Sequence, residues 1–113
     1  MSASALGVQE SRSTSRIRVP GWANIAYADF MVKSNRLYDI SQAGISLFLD
    51  IQLPLRQEFQ LHLSVYHAGQ VHRLDVRARS AYSTLVGSSG FRHGFQFAGL
   101  DEQQQETLGH MLA

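Results

Sequence analysis

Two short clusters in this sequence have side chains suited to binding an anion. The first is Arg12-Ser-Thr-Ser-Arg16, followed closely by Arg18, which places three of the ten basic residues within seven positions. A guanidinium is a planar fork of donors that matches phosphate oxygens bidentately and pairs with guanine O6 and N7. Two such groups four residues apart can close on a phosphate and a base edge together. The second cluster is Asp39-Ile-Ser-Gln-Ala-Gly44. An ionised Asp39 only accepts hydrogen bonds, which suits the N1–H and 2-amino donors of guanine, and Ser41 can donate or accept. Gly44 sits where the chain reverses, either for a positive φ or for a close approach of the backbone to a ligand. Taken singly, each cluster also has an ordinary explanation. The first is equally a solvated basic tail, and the second a polar hairpin turn.

Other chemistry finds little support. With no cysteine there is no disulfide, thiolate metal site or thiol nucleophile. His62, His67 and His72 are spaced by five, so neighbouring members fall on opposite strand faces, and no pair forms a metal-ligand arrangement. No nucleophile elbow or paired carboxylates appear, and Gly87–Gly90 lacks the Lys-Ser/Thr of a phosphate loop. The expectation is a binding domain, not an enzyme, with no metal and no cofactor.

The elements that must position the two clusters are strands. Phe59, Leu61, Leu63 and Val65 alternate with Gln60, His62, Ser64 and Tyr66, the period of a half-buried strand. His67-Ala-Gly-Gln70 reads as a hairpin turn. Beyond it His72, Leu74, Val76 and Ala78 oppose Arg73, Asp75, Arg77 and Arg79. Phe91, His93, Phe95 and Phe97 form another inward row, against outward Arg92, Gly94 and Gln96. Asn24–Val32, Arg36–Ser41 and Ile45–Leu49 complete a set of six strands, with turns at 33–35 and 42–44. Short connections predict an antiparallel meander closing into an all-β, six-stranded barrel. In this reading Asp39 and Ser41 share the outward face, while Tyr38 and Ile40 point into the core. Asp101 is a good N-cap, with Gln104 completing a capping box, and Leu108, Met111 and Leu112 give the helix an apolar face.

A chain of 113 residues with 44% apolar content and a net charge of +1 fits one globular domain, with no general attraction to nucleic acid or membrane. Residues 1–15 carry no period and read as an arm, flexible through residue 11, with the domain starting at Arg12 and its helix near 101. No apolar run is long enough for a signal peptide or a membrane span, so the expected location is cytoplasmic, without membrane insertion.

In this order and on this frame, the two clusters resemble the PilZ domain family of bacterial cyclic di-GMP receptors. Arg12 and Arg16 match its Arg-x-x-x-Arg motif. Asp39, Ser41 and Gly44 match its Asp/Asn-x-Ser-x-x-Gly motif. Asp39–Leu47 resembles its central hairpin and Phe91–Phe97 its last strand, so the likeness covers about residues 10–113. The resemblance implies a six-stranded barrel with a C-terminal helix that binds cyclic di-GMP on its outer surface. Arg12 and Arg16 would wrap the ligand, and Asp39, Ser41 and Gly44 would contact it from the barrel. Ordering of the N-terminal loop would then alter the surface offered to an unidentified effector protein. Two alternatives remain. One is an adaptor of the same fold that binds no nucleotide, against which the intact motif residues stand. The other is a nucleic-acid-binding barrel, disfavoured by inward aromatics and near-neutral charge.

Overall fold

An antiparallel strand with alternating apolar residues must bury one face, and here a single sheet does so by curling over itself. The computed structural model describes residues 15–88 and 90–112. Its strands are β1 (Ile17–Arg18), β2 (Gly21–Tyr27), β3 (Phe30–Ser34), β4 (Arg36–Ile40), β5 (Gly44–Leu49), β6 (Glu58–His67), β7 (Gln70–Leu85) and β8 (Phe91–Ala98), followed by helix α1 (Glu102–Leu112). They form one eight-stranded sheet in the order β1-β4-β5-β8-β7-β6-β2-β3, every pairing antiparallel. The result is a half-barrel, with β2 facing β4 and β3 facing β5 across the open side.

The expectation of six strands in a closed meander is corrected in three ways. The stretch Asn24–Val32 is not one strand but two, folded at Ala28-Asp29. Ala28 adopts φ 53°, a left-handed conformation with neither Gly nor Asn to announce it. Next, the end of the N-terminal segment pairs as β1, with Ile17 opposite Ile40 and Arg18 opposite Asp39. Finally, β5 pairs with β8 and β6 with β2, so the chain between β5 and β6 crosses from one side of the sheet to the other. The turn expected at 33–35 is tighter than that range, since β3 runs through Ser34.

Alternation holds where it was clearest. Phe59, Leu61, Leu63 and Val65 of β6 and Leu74, Val76 and Ala78 of β7 are all buried, and join Ile25, Ile45 and Leu47 in one core. The helix forms the expected reciprocal capping box: Gln104 N donates to Asp101 Oδ1 (2.7 Å), and Asp101 N donates to Gln104 Oε1 (2.9 Å). Leu108 and Met111 are buried beneath it.

Three buried polar side chains pin the parts that ladder bonds do not hold. Ser34 Oγ lies 2.6 Å from the Phe48 carbonyl and ties β3 to β5 across the open side. Ser80 donates to the Pro54 carbonyl (2.6 Å) and accepts from Gln57 N (3.3 Å), anchoring the β5–β6 crossover to β7. His93 has no exposed surface, and its Nε2 lies 3.3 Å from Leu53 N and 3.2 Å from the Ile51 carbonyl. One nitrogen cannot accept from the first and donate to the second at once, so the imidazole serves one or the other according to its tautomer.

Burial holds the His93 pKa below its ordinary 6.5, only partly opposed by the bond to the Ile51 carbonyl. The folded state therefore favours the neutral ring, while the unfolded chain takes up a proton near pH 6.5. Stability from this group is complete above that pH and declines as pH falls below it. Denaturant unfolding between about pH 7.5 and 5.5 should show this slope. His93→Gln should flatten it while lowering stability at neutral pH; an unchanged slope in the variant would assign the effect elsewhere.

Candidate functional site

The end of the N-terminal segment lies along β4 because Ile17 and Arg18 pair with Ile40 and Asp39. That register places Arg16 beside the β4–β5 turn. Its Nη2 is 3.0 Å from Asp39 Oδ1, its Nη1 donates to Ser41 Oγ (3.3 Å), and its Nη2 also reaches Ser46 Oγ (3.4 Å). Thus four of the five residues singled out in the sequence, Arg16, Asp39, Ser41 and Gly44, converge on one corner of the outer surface. Arg12 lies outside the described residues.

Their individual placements differ from the simple alternation. A β-bulge between Leu37 and Asp39 shifts the register of β4 against β5. Leu37 and Ile40 turn inward, and Tyr38, expected in the core, lies half-buried on the outer side with Asp39. Ser41 does not project outward beside Asp39 but is fully buried. Its hydroxyl accepts from Ala43 N (3.1 Å) and Gly44 N (3.2 Å), which locks the turn. Gly44 has no positive φ, and β8 supplies the close approach: a Cβ there would lie 2.0 Å from the Phe95 carbonyl oxygen. Ser41 and Gly44 therefore shape the corner, whereas Arg16 and Asp39 carry its charge.

Ser46 and Tyr82 belong to the same corner and were not foreseen. Asp39, Ser46, Gly94 and Tyr82 form one row across β4, β5, β8 and β7. The Ser46 and Tyr82 hydroxyls are 2.8 Å apart. The Tyr82 ring packs over Gly94, where a Cβ would come within 2.1 Å of Cε2, yet it remains 41% exposed. A second bulge between Ser80 and Tyr82 turns the ring to this side. The usable signal was Gly94 itself, a strand glycine among large residues that leaves room for a neighbouring ring. The arrangement offers a fork of donors, a carboxylate and an aromatic face, the elements needed to hold a phosphate next to a planar base. Among the described residues no group of three or more His, Asp or Glu side chains is placed to hold a metal ion.

The sequence matches the family model of the PilZ domain over residues 10–113. The chain belongs to the PilZ domain family. Solved structures agree on the fold of this PilZ domain. YcgR of Escherichia coli in complex with c-di-GMP superposes with a TM-score of 0.73 at 21% identity, over 88% of this chain and 43% of that one. The isolated PilZ domain of YcgR with c-di-GMP gives 0.68 at 19% identity, covering 88% and 87%. The Bacillus subtilis inhibitor of motility MotI/DgrA gives 0.73 at 14%, covering 89% and 49%. The chain spans about half the length of the MotI/DgrA chain and rather less than half of the YcgR chain in the complex. A search of curated proteins gives no significant sequence match. Among the described residues no helix is long and apolar enough to cross a membrane.

The structural part of the corner has its own test. Gly44→Ala should force β5 away from β8 and cost about 2 kcal/mol or more, as overpacking does. Urea unfolding measures it, and unchanged stability would show that the Phe95 carbonyl can yield.

Proposed function

We propose that this PilZ domain is a cyclic di-GMP receptor that passes the signal on by changing the surface it offers to another protein. The observation that carries the reading is the convergence of the two motifs at Arg16, which reaches Asp39, Ser41 and Ser46 together. Cyclic di-GMP combines two phosphodiesters with two guanines, and the corner has a counterpart for each. Arg16, with Arg12 from the preceding segment, would supply forked donors to a phosphate and to guanine O6 and N7. Asp39 would accept from guanine N1–H and the 2-amino group. Tyr82 would stack on the base, and Ser41 and Gly44 would keep the turn in shape. The two YcgR structures contain this ligand on the same fold, which supports the reading by analogy.

The Arg16–Asp39 pair gives the binding step a definite cost. Asp39 Oδ1 is buried and has Arg16 as its charge partner. A ligand that draws on the guanidinium must share or replace this contact, so guanine donors reaching Asp39 would compensate for it. Capture by Arg12 and Arg16 would order the N-terminal segment over β1, and the ligand can drive that change only by its preference for the ordered state. The same pair is also the observation favouring a second reading. Arg16 is already matched by protein groups, as an adaptor that binds no nucleotide would require.

Calorimetric titration with cyclic di-GMP, GTP and a short RNA separates these readings. Cyclic di-GMP should bind and the other two should not; heat from RNA alone would sink the receptor reading, and silence with all three would favour the adaptor. Arg16→Ala should weaken binding about ten- to a hundredfold, the loss of a charged hydrogen bond. Asp39→Ala should act similarly with the barrel still folded. Tyr82→Phe should bind more tightly than Tyr82→Ala, because stacking on the ring is worth about 1–3 kcal/mol and the phenyl retains it.

A further inference from the structure

Beside the Arg16 corner, two residues further along β5 and β8, the outer face changes character. Here Arg36 of β4, Phe48 of β5 and Arg92 of β8 lie opposite one another, with Tyr38 bulged out above them. Lys33, Arg36, Tyr38, Phe48 and Arg92 line an open groove of about 630 Å³, with Arg18 against its edge through Tyr38. Four of the chain's ten basic residues thus gather here, although the net charge of the whole is only +1. The ion pairs among the described residues are Arg16–Asp39, His62–Asp75 and Arg77–Glu58, and none involves these four cations. Asp50 is the one carboxylate lining the groove, and it pairs with none of them. Arg92 Nε is buried without a hydrogen-bond partner.

How the cations are held decides what they can bind. The Arg18 and Arg92 guanidiniums lie 3.9 and 4.6 Å from the centre of the Tyr38 ring, and that of Arg36 lies 4.1 Å from the centre of Phe48. Tyr38 and Phe48 meet edge to face at 5.7 Å. The ring surfaces are therefore already taken, and a nucleobase would have to displace a guanidinium in order to stack. Free N–H edges remain, carried by guanidiniums that stacking holds in place, so little side-chain entropy is lost when they bind. Such edges suit carboxylates, and the open shape of the groove admits an extended chain.

We propose that this groove is a docking site for an acidic peptide segment of a partner protein, distinct from the Arg16 corner. Its occupant carries several Asp or Glu side chains and pairs them with Arg36, Arg92 and Lys33. The site does not depend on whether the Arg16 corner binds a nucleotide.

The test is fluorescence anisotropy of the whole chain with a labelled octaglutamate peptide, with an octaglutamine peptide as control. Octaglutamate should bind in a salt-sensitive manner and octaglutamine should not. Replacing Arg36 and Arg92 together by Gln should weaken octaglutamate binding about tenfold or more while leaving cyclic di-GMP affinity unchanged. Because those variants also lose their stacking, amide chemical shifts of the unmodified chain provide the second measurement. Octaglutamate should perturb residues around Arg36, Phe48 and Arg92 more than those around Ser41 and Gly44. Absence of binding, equal binding of octaglutamine, perturbation centred on the Ser41 turn, or displacement of the peptide by cyclic di-GMP through Arg36 and Arg92 would each overturn the proposal. Loss of nucleotide binding in the Arg16 variant would bear only on the receptor reading.

Discussion

One constraint organises the molecule: a single sheet has an apolar face and no second sheet to cover it. Ile25, Ile45, Leu47, Leu61, Leu63, Val65 and Val76 leave water only because the sheet bends until its two ends approach each other and α1 closes over the remainder. Eight strands bent in this way leave a long convex face on which, among the described residues, no helix or second sheet packs. That face is free to carry polar rows, and the curl fixes their spacing. Polar groups on β4, β5, β8 and β7 are held by ladders buried on their other side, which keeps the row they form in place.

The same curl explains why buried polar residues occur where they do. A bent sheet leaves gaps that backbone ladders cannot span, and Ser34, Ser80 and His93 each fill one with a side-chain bond to a carbonyl or an amide. None of the three bonds to Arg16 or Asp39. They hold the frame, and their polarity is no sign of chemistry.

Much of this was legible in the sequence, and the misses have a common cause. The alternation of Phe59–Tyr66, its return through Val76, the inward row of β8 and the Asp101 capping box are local patterns that tertiary structure leaves intact. The meeting of Arg16 with Asp39 and Ser41 follows from a paired strand close in sequence to each, whereas Arg12 lies outside the described residues. Tyr38 and Ser41 were misplaced because alternation assumes an unbroken strand, and a bulge or a hydroxyl-locked turn adds a half-step that composition does not mark. The division at Ala28 was hidden for a similar reason, since a non-glycine residue takes the left-handed conformation there. Tyr82 escaped because its position depends on a bulge in β7 and on the space above Gly94 in β8, and no window along the chain contains both.

The two-residue strand β1 has a further consequence. A sheet that does not close has bare edges, and β4 would be one of them if Ile17 and Arg18 did not cover it. An uncovered β4 would present unpaired amides and carbonyls to any extended chain, including another copy of this one. The pairing that sets Arg16 beside Asp39 is therefore also the guard of that edge. Losing that pairing would cost both the placement of Arg16 and the cover of β4, so one short contact keeps the corner in shape and other chains at a distance.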